Sequence, residues 1–209
     1  VKLTELSVRD FIAELGAGTP TPGGGSVAAL CGALGSALAA MVAGLTLGKE
    51  PYRDRWATME EVRQAADELG RHFLDLVQKD TDAYQGVLAS LRLPKASNEE
   101  KASRQTALQD ALKRAASVPL ESLRASERLA HLAQASVEKG NPSALTDAGA
   151  ALHLARAAAG IAAANVKVNV ADIVDDRFVN ECMREVEERL RRVAALVEAG
   201  NGYVDSLLP

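Results

Sequence analysis

The feature that most limits what this chain can become is the run from Val27 to Leu47, which holds no charged side chain and is mostly Ala, Leu, Gly, Val and Ser. A helix apolar on every side is either a membrane span or the central post of a helical protein. The length permits a span, and Gly32 with Ser36 and Ala40 with Gly44 have the four-residue spacing of membrane packing faces. Against a span, the run is rich in Ala and Gly rather than Leu and Phe, no aromatic belt flanks it, and a long amphipathic remainder is left over. The run is therefore read as a buried helix of a soluble protein, with no membrane partner. Ahead of it stands Thr19-Pro20-Thr21-Pro22-Gly23-Gly24-Gly25-Ser26. The prolines restrict the approach, the glycines let the backbone turn where a side chain would clash, and Ser26 is the expected N-cap.

The remainder reads as helices. Leu6, Phe11, Ile12 and Leu15 mark a short amphipathic one over 4–16, with Gly16 as its stop. The longest periodic stretch, about 52–92, steps through Trp56, Met59, Val62, Ala66, Leu69, Phe73 and Leu76 and resumes at Ala83, Val87 and Leu91. Ser97-x-x-Glu100 is a capping box opening a helix over 98–116, and Pro119 is expected to separate it from a further helix reaching Lys139. Gly140-Asn141-Pro142 is a stop and turn. Another helix runs from Ser143 to about Asp175, and a last one covers 178–199 with Gly200-Asn201-Gly202 as its stop. No run alternates with period two, and no repeat or linker stands out. The expectation is an all-α bundle of long helices around a buried Ala/Gly-rich helix, one domain over 1–209.

Composition narrows the function classes. A net charge of −4 gives no electrostatic reason to bind nucleic acid. Cys31 and Cys182 are too few for a disulfide framework, and the N-terminal residues lack a signal-peptide layout, so a cytoplasmic setting is expected. His72, His131 and His153 lie far from one another and from either cysteine, so no metal site is expected. The glycine cluster lacks the Lys-Ser/Thr of a phosphate loop.

Two places interrupt the apolar seams. Continuing the 52–92 series from Leu76 lands on Asp80, where a carboxylate either sits at the solvent end of the bundle or is paired or used. In the helix after Ser143, Asn165, Asn169, Asp172 and Asp176 share a narrow sector, and Asp147 projects the same way five turns earlier. Ala151, Leu154, Ala158 and Ala162 lie between them on that side. Asn and Asp there serve either ligands or interhelical hydrogen bonds and caps. The unblocked amides of the glycine turn, at a helix start, favour a carboxylate, phosphate or developing oxyanion.

The segment from Pro20 to Leu30 resembles the hallmark of the formiminotetrahydrofolate cyclodeaminase and methenyltetrahydrofolate cyclohydrolase family. The likeness continues in order through Gly48-Lys49 with Tyr52, Asp80-x-x-Ala83-Tyr84, Leu93-Pro94-Lys95, Val118-Pro119-Leu120, Gly140-Asn141, Asp147 and Asn165-Val166-x-x-Asn169. Glu50 departs from the second basic residue expected after Lys49. The resemblance implies an all-α homodimer acting on a reduced folate, with no metal and no cofactor beyond the tetrahydrofolate substrate, and with a formiminotransferase as a separate protein. It implies Asp80 as the carboxylate that moves a proton or steadies a cationic nitrogen, with Asp147 as the alternative. Asn165 and Asn169 are expected on the pterin edge. Thr21 and the amides of Gly23, Gly24, Gly25 and Ser26 are expected on the one-carbon unit or a carboxylate, and Lys49, Lys95 and Arg104 on the glutamate tail. Cyclodeamination is the leading activity, cyclohydrolysis the second. A helical dimerisation scaffold without activity is the reading from another class.

Overall fold

The computed structural model describes residues 2–207, and the elements among them are helices, with no strand. They run α1 Val8–Leu15, α2 Gly24–Thr46, α3 Trp56–Leu91, α4 Asn98–Lys139, α5 Leu145–Asn169 and α6 Asp176–Leu207. Short 3₁₀ turns at Leu3–Glu5, Glu50–Arg55 and Pro142–Ala144 lead into the helices that follow.

Local chemistry sets most boundaries. The Ser7 hydroxyl accepts the Asp10 N–H at 3.1 Å and starts α1, and Gly16 ends it. Ser97 and Glu100 close a reciprocal capping box at the start of α4. Ser26 is not the N-cap of α2. Gly23 takes that position and Ser26 lies in the first turn with no exposed surface.

Two expected breaks are helix interior. Pro119 sits inside a continuous α4, so one helix replaces the two expected. Gly200-Asn201-Gly202 sits inside α6. That helix runs on because bare Gly200 fits against the Leu152 side chain and Val204 is buried near Gly149, contacts that offset the weak helix propensity of glycine. Conversely, α5 stops at Asn169, so Asp172 and Asp176 do not extend the Asn165–Asn169 stripe.

α2 is the post of the bundle. It packs on α3, α4 and α5, running antiparallel to α3 and α5. Gly32 admits the Phe73 ring where a methyl group would collide with it. Phe73, Leu69 and Leu76 of α3, Leu123 and Leu129 of α4 and Leu152 and Val166 of α5 join one core with Val186 and Val193 of α6. Across the α4–α6 seam, Arg124 and then Arg189 hold the Glu185 carboxyl down to about 2, and Arg189 and Arg192 clasp Glu127. α2 is not buried all round, however. Leu34, Met41 and Leu45 stay 52%, 42% and 43% exposed along one uncharged stripe. By length and hydropathy α2 would cross a bilayer, yet its small-residue faces are committed to three neighbouring helices.

Candidate active site at the glycine turn

The N-terminal end of α2 gathers polar groups from two antiparallel neighbours. Consecutive glycines each receive one of them. A methyl group on Gly25 would lie inside the Asp80 carboxylate of α3, and one on Gly24 would meet Asn165 Nδ2 of α5 at 3.3 Å. Consecutive Cα atoms stand only about 3.8 Å apart, so the carboxylate and the amide flank a single step of backbone. The glycines are there for close approach: their missing side chains are the room that Asp80 and Asn165 occupy.

Asp80 arrives by the arithmetic of α3. Met59, Val62, Ala66, Leu69, Phe73 and Leu76 are buried along its seam, and the next seam position falls where α3 crosses the start of α2. Burial pushes the Asp80 carboxyl above the ordinary aspartate range, while the Ser26 hydroxyl and backbone N–H pull it part of the way back. Ser26 Oγ lies 3.1 Å from Asp80 Oδ2 and 3.1 Å from the Val77 carbonyl. This triangle satisfies either protonation state. An ionised Asp80 accepts the Ser26 O–H. A protonated Asp80 donates to Ser26 Oγ, whose own hydrogen then turns to the Val77 carbonyl.

Asn165 Nδ2 donates to the Ile161 carbonyl of its own helix at 2.9 Å, and its Oδ1 accepts no hydrogen bond among the described residues. Asn169, one turn on, turns elsewhere: its Nδ2 donates to the Ala115 carbonyl of α4 at 2.7 Å. Thr21 is half-buried at the entry to the turn, and its carbonyl accepts the Thr19 hydroxyl at 2.9 Å. Gly23, Gly24, Gly25 and Ser26 supply the first N–H groups of α2, which have no partner within the helix.

Four expected site residues stand apart from the turn within this chain. Lys49 follows the other end of α2, about 34 Å away at 1.5 Å per residue over its 23 residues. Asp147 lies in the first turn of α5, about 27 Å from Asn165 along the helix. Lys95 is exposed in the connection after α3, which continues about 16 Å beyond Asp80. Arg104 is engaged in capping α3, its Nε and Nη2 donating to the Leu91 carbonyl at 3.3 and 3.2 Å.

Sequence reasoning placed Ser26 as a cap and missed its hydroxyl contact with Asp80. Spacing within α2 or within α3 offers no signal for that contact, because it depends on how the two helices cross. No cluster of three or more His, Cys, Asp or Glu able to hold a metal ion occurs among the described residues.

Against known proteins, a family model described as formiminotransferase-cyclodeaminase matches residues 7–188. A methenyltetrahydrofolate cyclohydrolase from Methylorubrum extorquens is 38% identical over 192 residues, covering 92% of each chain. A formimidoyltransferase-cyclodeaminase from Rattus norvegicus is 34% identical over 198 residues, which are 93% of this chain and 37% of that one. Among solved structures, a formiminotetrahydrofolate cyclodeaminase from Thermotoga maritima superposes with a TM-score of 0.88 at 32% identity, covering 97% of this chain and 98% of its own.

Proposed function

The chain belongs to the formiminotransferase-cyclodeaminase family, and from that premise we propose that it converts 5-formiminotetrahydrofolate to 5,10-methenyltetrahydrofolate and ammonia at the glycine turn. The observation that carries the reading is the half-buried Asp80, its carboxyl raised by burial above the ordinary aspartate range, set beside Ser26 on bare Gly25 with Asn165 on the adjoining glycine.

The reaction needs one proton beyond those of the substrate. Protonated Asp80 gives its proton to the formimino nitrogen as the 10-position nitrogen adds to the formimino carbon. The carboxylate then takes the proton from the 10-position nitrogen and returns it to the amino group of the tetrahedral adduct, which leaves as ammonia. What remains is a cationic methenyl bridge beside an anionic, partly desolvated Asp80, a favourable pair. Ser26 follows each transfer by turning its hydroxyl. Asn165 offers Oδ1 to a pterin N–H, and the N–H groups of the glycine turn position the one-carbon unit or hold a substrate carboxylate. No metal or further cofactor enters the scheme.

A second reading has its own support, since the cyclohydrolase relative is matched over nearly its whole length. In that direction ionised Asp80 takes a proton from water as the water adds to the methenyl carbon and passes it to the 5-position nitrogen. The adduct's hydroxyl proton then moves to the carboxylate as the bond from that nitrogen to the carbon breaks, leaving 10-formyltetrahydrofolate and one proton for solvent. The two reactions share a carbon and a carboxylate.

We also place the protein in the cytoplasm, as a homodimer, receiving its substrate from a separate formiminotransferase. Support for the dimer is the uncharged stripe of Leu34, Met41 and Leu45, continued by exposed Val8, Ile12 and Leu74 around an apolar groove of ≈ 450 Å³. Sedimentation tests the dimer: a compact monomer at micromolar concentration contradicts it. Following methenyl absorbance tests the activity. Its appearance from the formimino substrate supports deamination, its disappearance alone selects hydrolysis, and no folate binding rejects both.

A further inference from the structure

Pro119 removes one backbone donor from the middle of α4. The carbonyl that an ordinary residue there would satisfy lies four positions back, at Ala115, which is only 7% exposed. A buried carbonyl without a donor is unfavourable by the desolvation it has suffered. The structure supplies a substitute from another helix: Asn169 Nδ2, on the last residue of α5, donates to the Ala115 carbonyl at 2.7 Å. Neighbouring residues fasten the same seam. Gln109 of α4 donates to the Asp172 carbonyl at 2.9 Å and accepts the Val174 N–H at 2.9 Å, and Lys113 pairs with Asp175 at 2.6 Å.

We infer that Asn169 is a positioning residue, its amide replacing the donor that Pro119 lacks and fixing the proline turn of α4 against the end of α5. It is not a pterin ligand. The other side of that turn explains the functional reach. Ser117, Val118 and Glu121 of α4 line a groove with Lys79, Ala83 and Gly86 of α3, the residues on either side of Asp80. α4 therefore packs against both the helix that carries Asp80 and the helix that carries Asn165. A proline turn left loose moves one wall of the site relative to the other. Two features of the sequence, Val118-Pro119-Leu120 and the asparagine at 169, become one device.

The test is a double-mutant cycle. In the Pro119→Ala variant the backbone N–H returns and Asn169 becomes dispensable. Asn169→Ala in the natural background is expected to lower the melting temperature by several degrees and turnover about tenfold, with KM within about twofold. In the P119A background the same change is expected to cost less than about twofold in turnover. Equal losses in both backgrounds, with KM raised about tenfold or more and melting unchanged, overturn the inference and make Asn169 a substrate ligand. The kinetic arm rests on the reaction proposed above, whereas the melting arm does not. Should P119A fail to fold, NMR scalar coupling across the hydrogen bond decides in the free natural protein. Coupling between the Asn169 side-chain nitrogen and the Ala115 carbonyl carbon supports the inference, and its absence overturns it.

Discussion

The two ends of α2 handle polar groups in opposite ways. At the Thr46 end the hydrogen bonds form a closed knot. Asn141 donates its backbone N–H to Thr46 Oγ1 at 2.8 Å and its Nδ2 to the Leu45 carbonyl at 3.1 Å. Its Oδ1 accepts Ser143 N–H at 3.0 Å and the Tyr52 hydroxyl at 3.3 Å, and Arg55 donates to the adjacent Gly140 carbonyl at 3.4 Å. Asn141 is 4% exposed, and both polar atoms of its side chain are engaged. At the Gly24 end, by contrast, burial raises the Asp80 carboxyl above the ordinary aspartate range, and the Asn165 amide oxygen accepts no hydrogen bond among the described residues. Stability favours a closed knot, and chemistry needs groups with something left to do. Motif residues from one family resemblance thus divide into anchors at one end and groups with unused bonding capacity at the other.

Substitutions at the two ends should separate activity from stability. The largest effect belongs to Asp80→Asn, expected to lower kcat by about a thousandfold, within the range for loss of a general acid–base group. Because the folded carboxyl holds its proton above the ordinary aspartate range, the fold gains stability as pH falls through that raised pKa and loses it as pH rises. Asp80→Asn removes this dependence, so at pH 7 calorimetry should find it melting no lower than the natural protein. Next, Gly25→Ala should lower kcat about a hundredfold by displacing the carboxylate, with the circular dichroism spectrum retained. Asn165→Ala should raise KM about tenfold, the effect of one lost hydrogen bond to substrate, with kcat less affected. At the closed end the pattern reverses. Asn141→Ala should lower the melting temperature by about 5 °C or more and leave kcat/KM within about threefold. A thousandfold loss of activity there, without unfolding, would erase the distinction between the ends.

Much of this fold was readable in the chain because its signals are local. Ser97 and Glu100 cap their own helix, and the apolar series from Trp56 to Leu76 both defines α3 and singles out Asp80 by its interruption. The failures share one cause, which is tertiary compensation. Pro119 reads as a break until Asn169 of another helix supplies the missing donor. Gly200 and Gly202 read as a stop until Leu152 and Val204 are seen to pack the helix onward. An uncharged α2 reads as buried throughout, but nothing in a hydropathy run says which stripe its neighbours leave bare. The site was legible in the same measure. Asp80 and Asn165 could be chosen from periodicity, while their meeting on successive glycines depends on two helix crossings. Spacing along one helix likewise grouped Asp147 with Asn165, although they stand at opposite ends of it.

The most direct test of the division is a crystal structure with 5-formyltetrahydrofolate bound as an unreactive stand-in for the formimino substrate. The account predicts its pteridine and one-carbon unit at Gly24–Gly25, within hydrogen-bond distance of Asp80 and Asn165. A pteridine seated at the Asn141 end, with Asp80 still held only by Ser26, would contradict it.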